Sequence, residues 1–277
     1  MLNRRSFVAA TLAVAAPPAA AQTSGQAAPW PSKPIKLVVP YAPGGTTDVV
    51  ARRVAEYLGQ KLGQNIIVDN KPGKDAMVGT AIVAKAAPDG YTLLMSVISG
   101  LSISPTLYGG GDFDPMGDFI HVSIASTNPS VLVANPNFQT KTFKELIDYA
   151  KADPGKVSYA TSAAPHIKAG KVNALAVSGE TRSPAFPDVP TMKELGYSDL
   201  ISYSWFGISV PAKTPQPIVD RLATEMQAVL KEPAVTKRWE EIGAAGSTMT
   251  PAEVTRFIQG EIDKWTPVVK ASGAKPG

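Results

Sequence analysis

The sequence predicts an α/β fold in two lobes, and three observations lead to this prediction. Short apolar runs alternate with helical patterns in the first third of the chain, which is typical of a parallel sheet covered by helices. From Phe119 two strand-like runs follow each other closely, which indicates a crossing into a second lobe. A later run over residues 204–210 indicates a strand that returns to the first lobe.

The first lobe is predicted to begin with three strands that alternate with helices. The strands are expected over residues 35–41, 65–69 and 91–97, because each run is short, apolar and bounded by turn residues. The first helix has apolar residues four apart from Val50 to Leu62, and Thr46 or Thr47 is expected to cap it. A second helix is expected to run through Val83, after the loop over residues 71–75.

The second lobe and the C-terminal region are predicted from the same signals. A capping box begins at Thr142, and an apolar stripe of Phe143, Leu146, Ile147 and Ala150 follows it. A second capping box at Thr250 is expected to begin the last helix. The remaining predicted elements are strands over 120–125, 130–134, 157–161 and 172–177, and helices over 217–230 and 234–242.

The first 21 residues have the pattern of a signal peptide. Arg4 and Arg5 give a basic start, a short apolar run follows, and Ala19–Ala21 provide small residues before a cleavage expected ahead of Gln22. The run is too short to span a bilayer, although an uncleaved anchor is the alternative. We therefore expect export to the periplasm and no membrane span after cleavage, by either the general secretion or the twin-arginine route.

Charge and cysteine content exclude several classes of protein. The whole chain has 27 basic and 23 acidic side chains, a net charge of +4. Residues 1–21 contain two arginines and no acid, so the mature chain has 25 basic and 23 acidic side chains and a net charge of 25 − 23 = +2. No lysine or arginine cluster marks a nucleic-acid face, so no nucleic-acid partner is expected. The absence of cysteine excludes disulfides, a thiol nucleophile and a lipid anchor on cysteine.

Two loops at predicted strand ends are the candidate binding elements. The sequence Pro43-Gly44-Gly45-Thr46-Thr47-Asp48 lacks the lysine of a phosphate-binding loop and the spacing of a dinucleotide fingerprint. Glycines and a helix start nevertheless offer backbone N–H groups to an anion, with the threonine hydroxyls beside them. The loop at residues 72–79 has the same position in its own unit. The alternative is that both are ordinary turns.

Signatures of catalysis are scarce. The two histidines, His121 and His166, have no catalytic partners in the sequence, and no known hydrolase or metal-ligand pattern is present. Either histidine is expected to be a surface or core residue. We therefore expect a protein that is not an enzyme and that has no catalytic residues, no metal and no cofactor.

Several fragments together resemble one family. They are "WPSKPIKLVVPYAPGGTTDVVAR", "AAPDGYTLLM", "PHIKAGKVNALAVSGETRSPAFPDVPTMKELGY" and "SWFGISVPAKTP", in this order from Trp30 onwards. The sequence resembles the substrate-binding proteins of tripartite tricarboxylate transporters, the Bug family. The resemblance implies a periplasmic binding protein-like fold, with two α/β lobes joined by a hinge that close on a small carboxylate. The implied partners are that ligand and the membrane subunits of the transporter, and we expect a monomer.

The resemblance also implies lobe boundaries and a set of ligand-binding residues. The expected segments are the signal peptide 1–21, lobe 1 over 31–125, lobe 2 over 126–207, and the return to lobe 1 with the C-terminal helices over 208–277. The candidate ligand-binding residues lie in the loops at the strand ends: Tyr41, Ala42, Pro43, Gly44, Gly45, Thr46, Thr47, Asp48, Gly73, Lys74, Asp75, Ala76, Gly79, Ser96, Ser99, Thr161 and Ser162.

Two features depart from the family pattern. The second loop is commonly glycine-rich, whereas this chain has Lys74, Asp75, Ala76 and Met77 in its centre. An internal block on the order of 50 residues, several elements of ordinary length, is also absent near residues 162–165. We therefore expect a truncated second lobe and weak or absent binding. The alternatives are a ligand-carrying partner of a sensor or surface protein and, ranked last, a hydrolase that uses Thr46 or Thr47.

Overall fold

The computed structural model describes residues 29–153, 167, 171–241 and 243–276. The helices and strands of the first part of the chain are β1 (Ile35–Val39), α1 (Thr46–Leu62), β2 (Ile66–Asn70), α2 (Met77–Ala84), β3 (Thr92–Val97) and the four-residue α3 (Ser104–Leu107). A π-helical turn, Ser99–Ile103, precedes α3. The later elements are β4 (Phe119–Pro129), β5 (Val131–Ala134), α4 (Phe143–Ala152), β6 (Asn173–Val177), β7 (Tyr203–Pro211), α5 (Gln216–Leu230), α6 (Pro233–Glu241) and α7 (Pro251–Ser272).

The larger sheet is mixed, with the strand order β2-β1-β3-β7-β4. Strands β1, β2 and β3 are parallel to one another, as the alternation of strands and helices predicts. Strand β7 lies antiparallel between β3 and β4, a direction for which the sequence patterns made no prediction. The return of residues 204–210 to the first lobe is confirmed, because β7 pairs with β3 there.

Helices cover both faces of this sheet, and the alternation of side chains along each strand explains why. On β1, Leu37 packs in one core cluster with residues of α1, α5 and α6, while Val38 packs in the other with residues of α2 and α7. Trp205 of β7 and Ile258 of α7 are fully buried in the second cluster. Strands that are apolar on both faces need such double cover, and the first lobe therefore has a complete core.

The second sheet is small and contains only β5 and β6 among the described residues. Phe143 of α4 is buried against it, whereas Leu146 and Ile147 of the same apolar stripe are half-exposed. The strand predicted over residues 157–161 lies outside the described residues. Phe143 is thus the buried residue of α4.

Strands β4 and β7 pair as far as Pro129 and Tyr203, so the large sheet extends almost to the start of β5.

The two predicted capping boxes have different outcomes. The capping box at Thr250 is confirmed, since its side chain and that of Glu253 each bond the other's backbone N–H. At α4 only half of the box forms, because Glu145 accepts from the N–H of Lys141 instead of that of Thr142.

Candidate ligand-binding site

The first loop, residues 41–48, joins the carboxyl end of β1 to the start of α1. Ala42–Thr46 are exposed, whereas Thr47 and Asp48 turn inward and are buried. Gly44 has φ +89°, a left-handed conformation that favours glycine. The N-cap of α1 is Gly45 and no side chain caps the helix, so the prediction that Thr46 or Thr47 would cap it is wrong.

Asp48 explains this helix start, because its carboxylate reaches back to the loop. It accepts hydrogen bonds from the Gly44 N–H at 3.0 Å, Arg52 Nε at 2.9 Å and Asn70 Nδ2 at 3.0 Å. The bond from Arg52 is the main reason why the pKa of Asp48 is lowered to about 2. Asp48 therefore shapes the loop from within, and its side chain does not face the exposed side where a ligand would bind.

The first amides of α1 remain free for a ligand. Among the described residues, the N–H groups of Thr46, Thr47 and Asp48 have no acceptor, and the first backbone bond of the helix runs from Val49 to Gly45. Unpaired N–H groups at a helix start are a common place for an anion to bind. The exposed loop beside them leaves that place open to solvent.

The second loop, residues 71–76, has an unusual backbone. Gly73 has φ +140°, and the three residues after it also have positive φ: Lys74 +44°, Asp75 +46° and Ala76 +74°. A left-handed conformation costs a residue with a side chain roughly 1–2 kcal/mol. The backbone therefore has the conformation of a glycine-rich loop, although three residues with side chains adopt it.

Gly79, in the first turn of α2, allows close packing and does not project toward a ligand. A β-carbon at this position would lie 2.8 Å from both the Lys71 carbonyl oxygen and Pro40 Cα. Such distances are below any ordinary contact, so a larger residue would push α2 away from β1. Its role in the site is thus to bring the start of α2 against the first loop.

Four side chains meet between the two loops. Tyr41 Oη donates to Asp75 Oδ1 at 2.6 Å, and Ser104 Oγ donates to Asp75 Oδ2 at 2.8 Å. Ser99 Oγ lies 2.6 Å from Tyr41 Oη. Because the tyrosine has a single hydroxyl proton and gives it to Asp75, Ser99 is the donor in that pair. The result is a chain of hydroxyl donors that ends on one carboxylate.

The environment keeps Tyr41 in its donor form. Burial raises the pKa of its hydroxyl well above the usual 10.0, and the hydrogen bond to Asp75 raises it further, although the bond from Ser99 opposes this. Ser104 is fully buried, and Ser99 is half-exposed at the start of the π-helical turn. Tyr41 therefore remains a protonated donor at neutral pH.

Some predicted site residues lie elsewhere. Ser96 is 1% exposed inside the sheet, and its hydroxyl has no hydrogen-bond partner among the described residues, so it does not reach the exposed edge. Ala76 is also buried and takes part only through its backbone. Thr161 and Ser162, the candidates from the second lobe, lie outside the described residues, as does His166.

The site also contains residues that the sequence patterns did not indicate. Ser104 follows a π-helical turn that no periodicity marks, and only its adjacency to Ser99 along the chain was available as a signal. Asn70 ends β2, and besides bonding Asp48 it donates to the Tyr41 carbonyl oxygen at 2.9 Å. An asparagine directly after a predicted strand is a usable signal for such a bridge.

His121 is a core residue and not part of this site. It is 1% exposed, with Nδ1 2.9 Å from Ser209 Oγ and Nε2 3.0 Å from the Pro115 carbonyl oxygen. Burial lowers its pKa to about 4. The His–Ser contact has no access to solvent and therefore does not form a catalytic pair.

Other features of the described residues lie apart from the two loops. A groove of about 910 Å³ runs beside α1 and β2, and it is lined by Arg52, Gly59 and Ile67 among others. Within the described ranges, no cluster of three or more His, Asp or Glu residues has the arrangement of a metal site. No helix in the same part of the chain combines the length and hydropathy that crossing a membrane requires.

Comparison with known proteins agrees with this architecture. Residues 50–164 and 160–274 match the tripartite tricarboxylate transporter family receptor. BugT of Bordetella pertussis is 33% identical, over 91% of this chain and 95% of that protein. The structure of periplasmic binding protein BugD superposes with a TM-score of 0.78 at 30% identity, over 89% and 99% of the two chains. MatC from Rhodopseudomonas palustris, solved with bound malate, gives 0.78 at 27%, over 87% and 100%.

The same comparisons indicate where this chain is shorter. The alignment with BugT spans 313 positions, whereas 91% of this 277-residue chain is about 252 residues, so about 60 positions have no counterpart here. The two matched segments meet at residues 160–164, which is where the sequence lacks an internal block. BugD is a periplasmic binding protein, and the matched family is one of transporter receptors and not of enzymes. The chain therefore belongs to the family of tripartite tricarboxylate transporter receptors.

Proposed function

We propose that the protein is an exported receptor that captures a small carboxylate between its two lobes and delivers it to the membrane subunits of a tripartite transporter. The observation that carries this proposal is the exposed start of α1, where the N–H groups of Thr46, Thr47 and Asp48 have no acceptor among the described residues. The Gly73–Gly79 loop stands beside it on the neighbouring parallel strand. The malate bound to MatC, a member of the same fold, supports the ligand class.

Strands β4 and β7 have the position of a hinge in this proposal. Both belong to the large sheet, and each continues into the segment that holds β5 and β6. A closed form would bring residues around Thr161 and Ser162 toward the first-lobe loops. A ligand favours closure only through better contacts with the closed form, so the missing block weakens binding by removing such contacts.

Isothermal titration of the mature chain, residues 22–277, with malate, succinate and citrate tests the ligand class. We expect dissociation constants in the millimolar range, about −4 kcal/mol of binding free energy, because only one lobe provides a full loop. Submicromolar binding would contradict the proposed weakening. No binding of any carboxylate at tens of millimolar would contradict the receptor function itself.

Export and delivery need separate measurements. Expression of the full chain should yield a periplasmic protein whose N-terminus is Gln22, as determined by mass spectrometry of the purified protein. A product that stays in the cytoplasm would contradict export. Genes for the two membrane subunits beside this gene would support delivery to a transporter, whereas a neighbouring sensor gene in their place would favour the sensor alternative.

A further inference from the structure

The carboxylate of Asp75 is already held in the manner in which a receptor holds a ligand carboxylate. One oxygen accepts from Tyr41 at 2.6 Å and the other from Ser104 at 2.8 Å. Ser99 Oγ donates a hydrogen bond to Tyr41 Oη at 2.6 Å and so holds the tyrosine hydroxyl in place. Hydrogen bonds to a charged acceptor are short and strong, and these distances have that character. The three hydroxyls are thus arranged for one carboxylate, and a residue of the chain fills the place.

The surroundings do not give Asp75 an ordinary structural role. It is exposed, and no lysine or arginine among the described residues lies within ion-pairing distance of it. Its bond partners are in contrast more buried than it is, and Ser104 is fully so. The exposed carboxylate of Asp75 accepts hydrogen bonds from two more buried hydroxyls, those of Tyr41 and Ser104. A bound anion at this edge of the sheet would be held in the same way.

The backbone shows how the carboxylate reaches this place. Asp75 has φ +46° between two other left-handed residues. Aspartate tolerates this conformation better than most residues with side chains, and glycine adopts it freely. A glycine at this position would keep the same path of the chain and leave the three hydroxyls open.

We propose that Asp75 acts as an internal carboxylate that occupies the hydroxyl seat of Tyr41, Ser99 and Ser104, so that a ligand carboxylate must displace it. The inference rests on the proposed function for its ligand class, and it adds a residue that sets affinity. A dicarboxylate meets two obstacles at this end of the site: its donors are occupied, and the negative charge of Asp75 repels it. The free amides at the start of α1 remain available to one carboxylate only.

Titration of the mature wild-type chain and two variants with succinate tests this inference. Asp75→Gly frees the hydroxyls without backbone strain, whereas Asp75→Asn removes the charge but keeps a group that bonds the same hydroxyls. We expect Asp75→Gly to bind succinate at least tenfold more tightly than wild type, and at least threefold more tightly than Asp75→Asn. Lys74→Gly is the matched control for loop strain, since it relaxes the same loop and leaves the hydroxyls occupied. Because it also removes a positive charge near the ligand, it should show no gain in affinity over wild type.

Three results would overturn the inference. These are equal affinities of Asp75→Gly and wild type, equal affinities of the Gly and Asn variants, and a gain in Lys74→Gly as large as that in Asp75→Gly. The second result would mean that charge repulsion alone acts, with no occupation of donors. The third would mean that loop flexibility controls affinity.

A measurement without ligand separates this inference from the proposed function. Ser104→Ala should lower the urea midpoint of the wild-type chain, because it breaks the bond to Asp75, and should lower it much less in the Asp75→Gly background. If no protein binds any carboxylate, the proposed function fails while this result still supports the seat. If Ser104→Ala lowers both midpoints equally, the seat is absent and the inference fails, whatever the titrations show.

Discussion

At the scale of single residues, the second loop stores conformational strain. Lys74, Asp75 and Ala76 are left-handed in succession, and of the three only Asp75 makes side-chain hydrogen bonds. Lys74 is exposed and is available for substitution without disturbing a core. This makes Lys74 the position where the cost of the strain can be measured alone.

We expect Lys74→Gly to raise the free energy of unfolding by about 1 kcal/mol, since glycine adopts positive φ without the clash of a β-carbon. Urea unfolding followed by circular dichroism measures this change. Lys74→Ala is the control and should leave stability unchanged, because alanine keeps the β-carbon. A Gly variant no more stable than the Ala variant would contradict the strain.

His121 is expected to make the stability depend on pH. Its pKa in the folded state is about 4, below the ordinary 6.5, because the ring is buried between Ser209 and the Pro115 carbonyl. The unfolded chain therefore binds a proton between these values and the folded chain does not, so stability is full above about 6.5 and falls as pH drops toward 4. The depressed pKa of Asp48, about 2, acts only below this window.

The loss from His121 should amount to roughly 3 kcal/mol between pH 7 and pH 4. Urea unfolding at several pH values measures it, and His121→Gln is the control, since glutamine does not titrate. The variant is expected to be less stable at pH 7 but to have a much flatter profile over this range. Parallel profiles of variant and wild type would show that His121 is not the titrating group.

At the scale of elements, the packing of α2 depends on Gly79. Overpacking of a well-filled contact costs typically 1–3 kcal/mol, and a β-carbon here would meet the backbone of Pro40, directly after β1, and of the loop after β2. Gly79→Ala should therefore lower the free energy of unfolding by that amount and weaken any ligand binding.

The matched control is Gly260→Ala in α7, an exposed helical position where a β-carbon would meet nothing within 4 Å. Alanine is the better helix former, so this change should stabilise by about 0.5–1 kcal/mol. Thermal unfolding of both variants compares them directly. Similar effects of both substitutions would contradict the close approach of α2 to β1.

The elements also show what sequence patterns can predict. The starts and ends of β1, β2, β3 and α5, and the start of α7, agree with their periodicity and turn residues to within a few positions. The direction of β7 was not predictable, because antiparallel and parallel strands buried on both faces have the same apolar pattern. The π-helical turn at Ser99–Ile103 was missed because "SGLSI" shows neither the 3.6-residue period of a helix nor the alternation of a strand. Ser104, which follows the turn, was therefore missed as a donor.

The site was predictable only in outline. Both loops were located, since glycines after apolar strands are strong signals. The inward turn of Asp48 was not, because it depends on Arg52 and Asn70 meeting it from two different elements. Lys74 and Asp75 were expected to alter the glycine-rich loop, but their left-handed backbone and the hydroxyls gathered on Asp75 depend on contacts across the fold.

At the scale of the whole molecule, the two lobes differ in completeness. Leu146 and Ile147 of α4 remain half-exposed, and the small sheet has two strands among the described residues. About 60 positions of the BugT alignment have no counterpart in this chain. The second lobe is therefore the part of the molecule that limits ligand capture in our proposal.

Restoring the missing block should restore binding. We expect that insertion of the corresponding BugT segment between Ser162 and Pro165 raises carboxylate affinity at least tenfold, about 1.4 kcal/mol. Isothermal titration measures this, and a flexible glycine–serine insert of equal length is the control. Thermal unfolding of both proteins checks that they fold. Equal affinities of the two folded proteins would show that the block does not supply ligand contacts.

The place of β7 has a consequence for how the first lobe forms. The large sheet is complete only when β7 inserts between β3 and β4, and about 105 residues separate Val97 from Tyr203. Loop-closure entropy grows with the logarithm of that separation. Because the alignment with BugT has about 60 more positions, this chain closes the loop at a cost lower by about 0.4 kcal/mol than a chain that contains them. The absence of the block thus lowers the entropic cost of forming the large sheet. The first lobe can therefore fold even where the second lobe is incomplete.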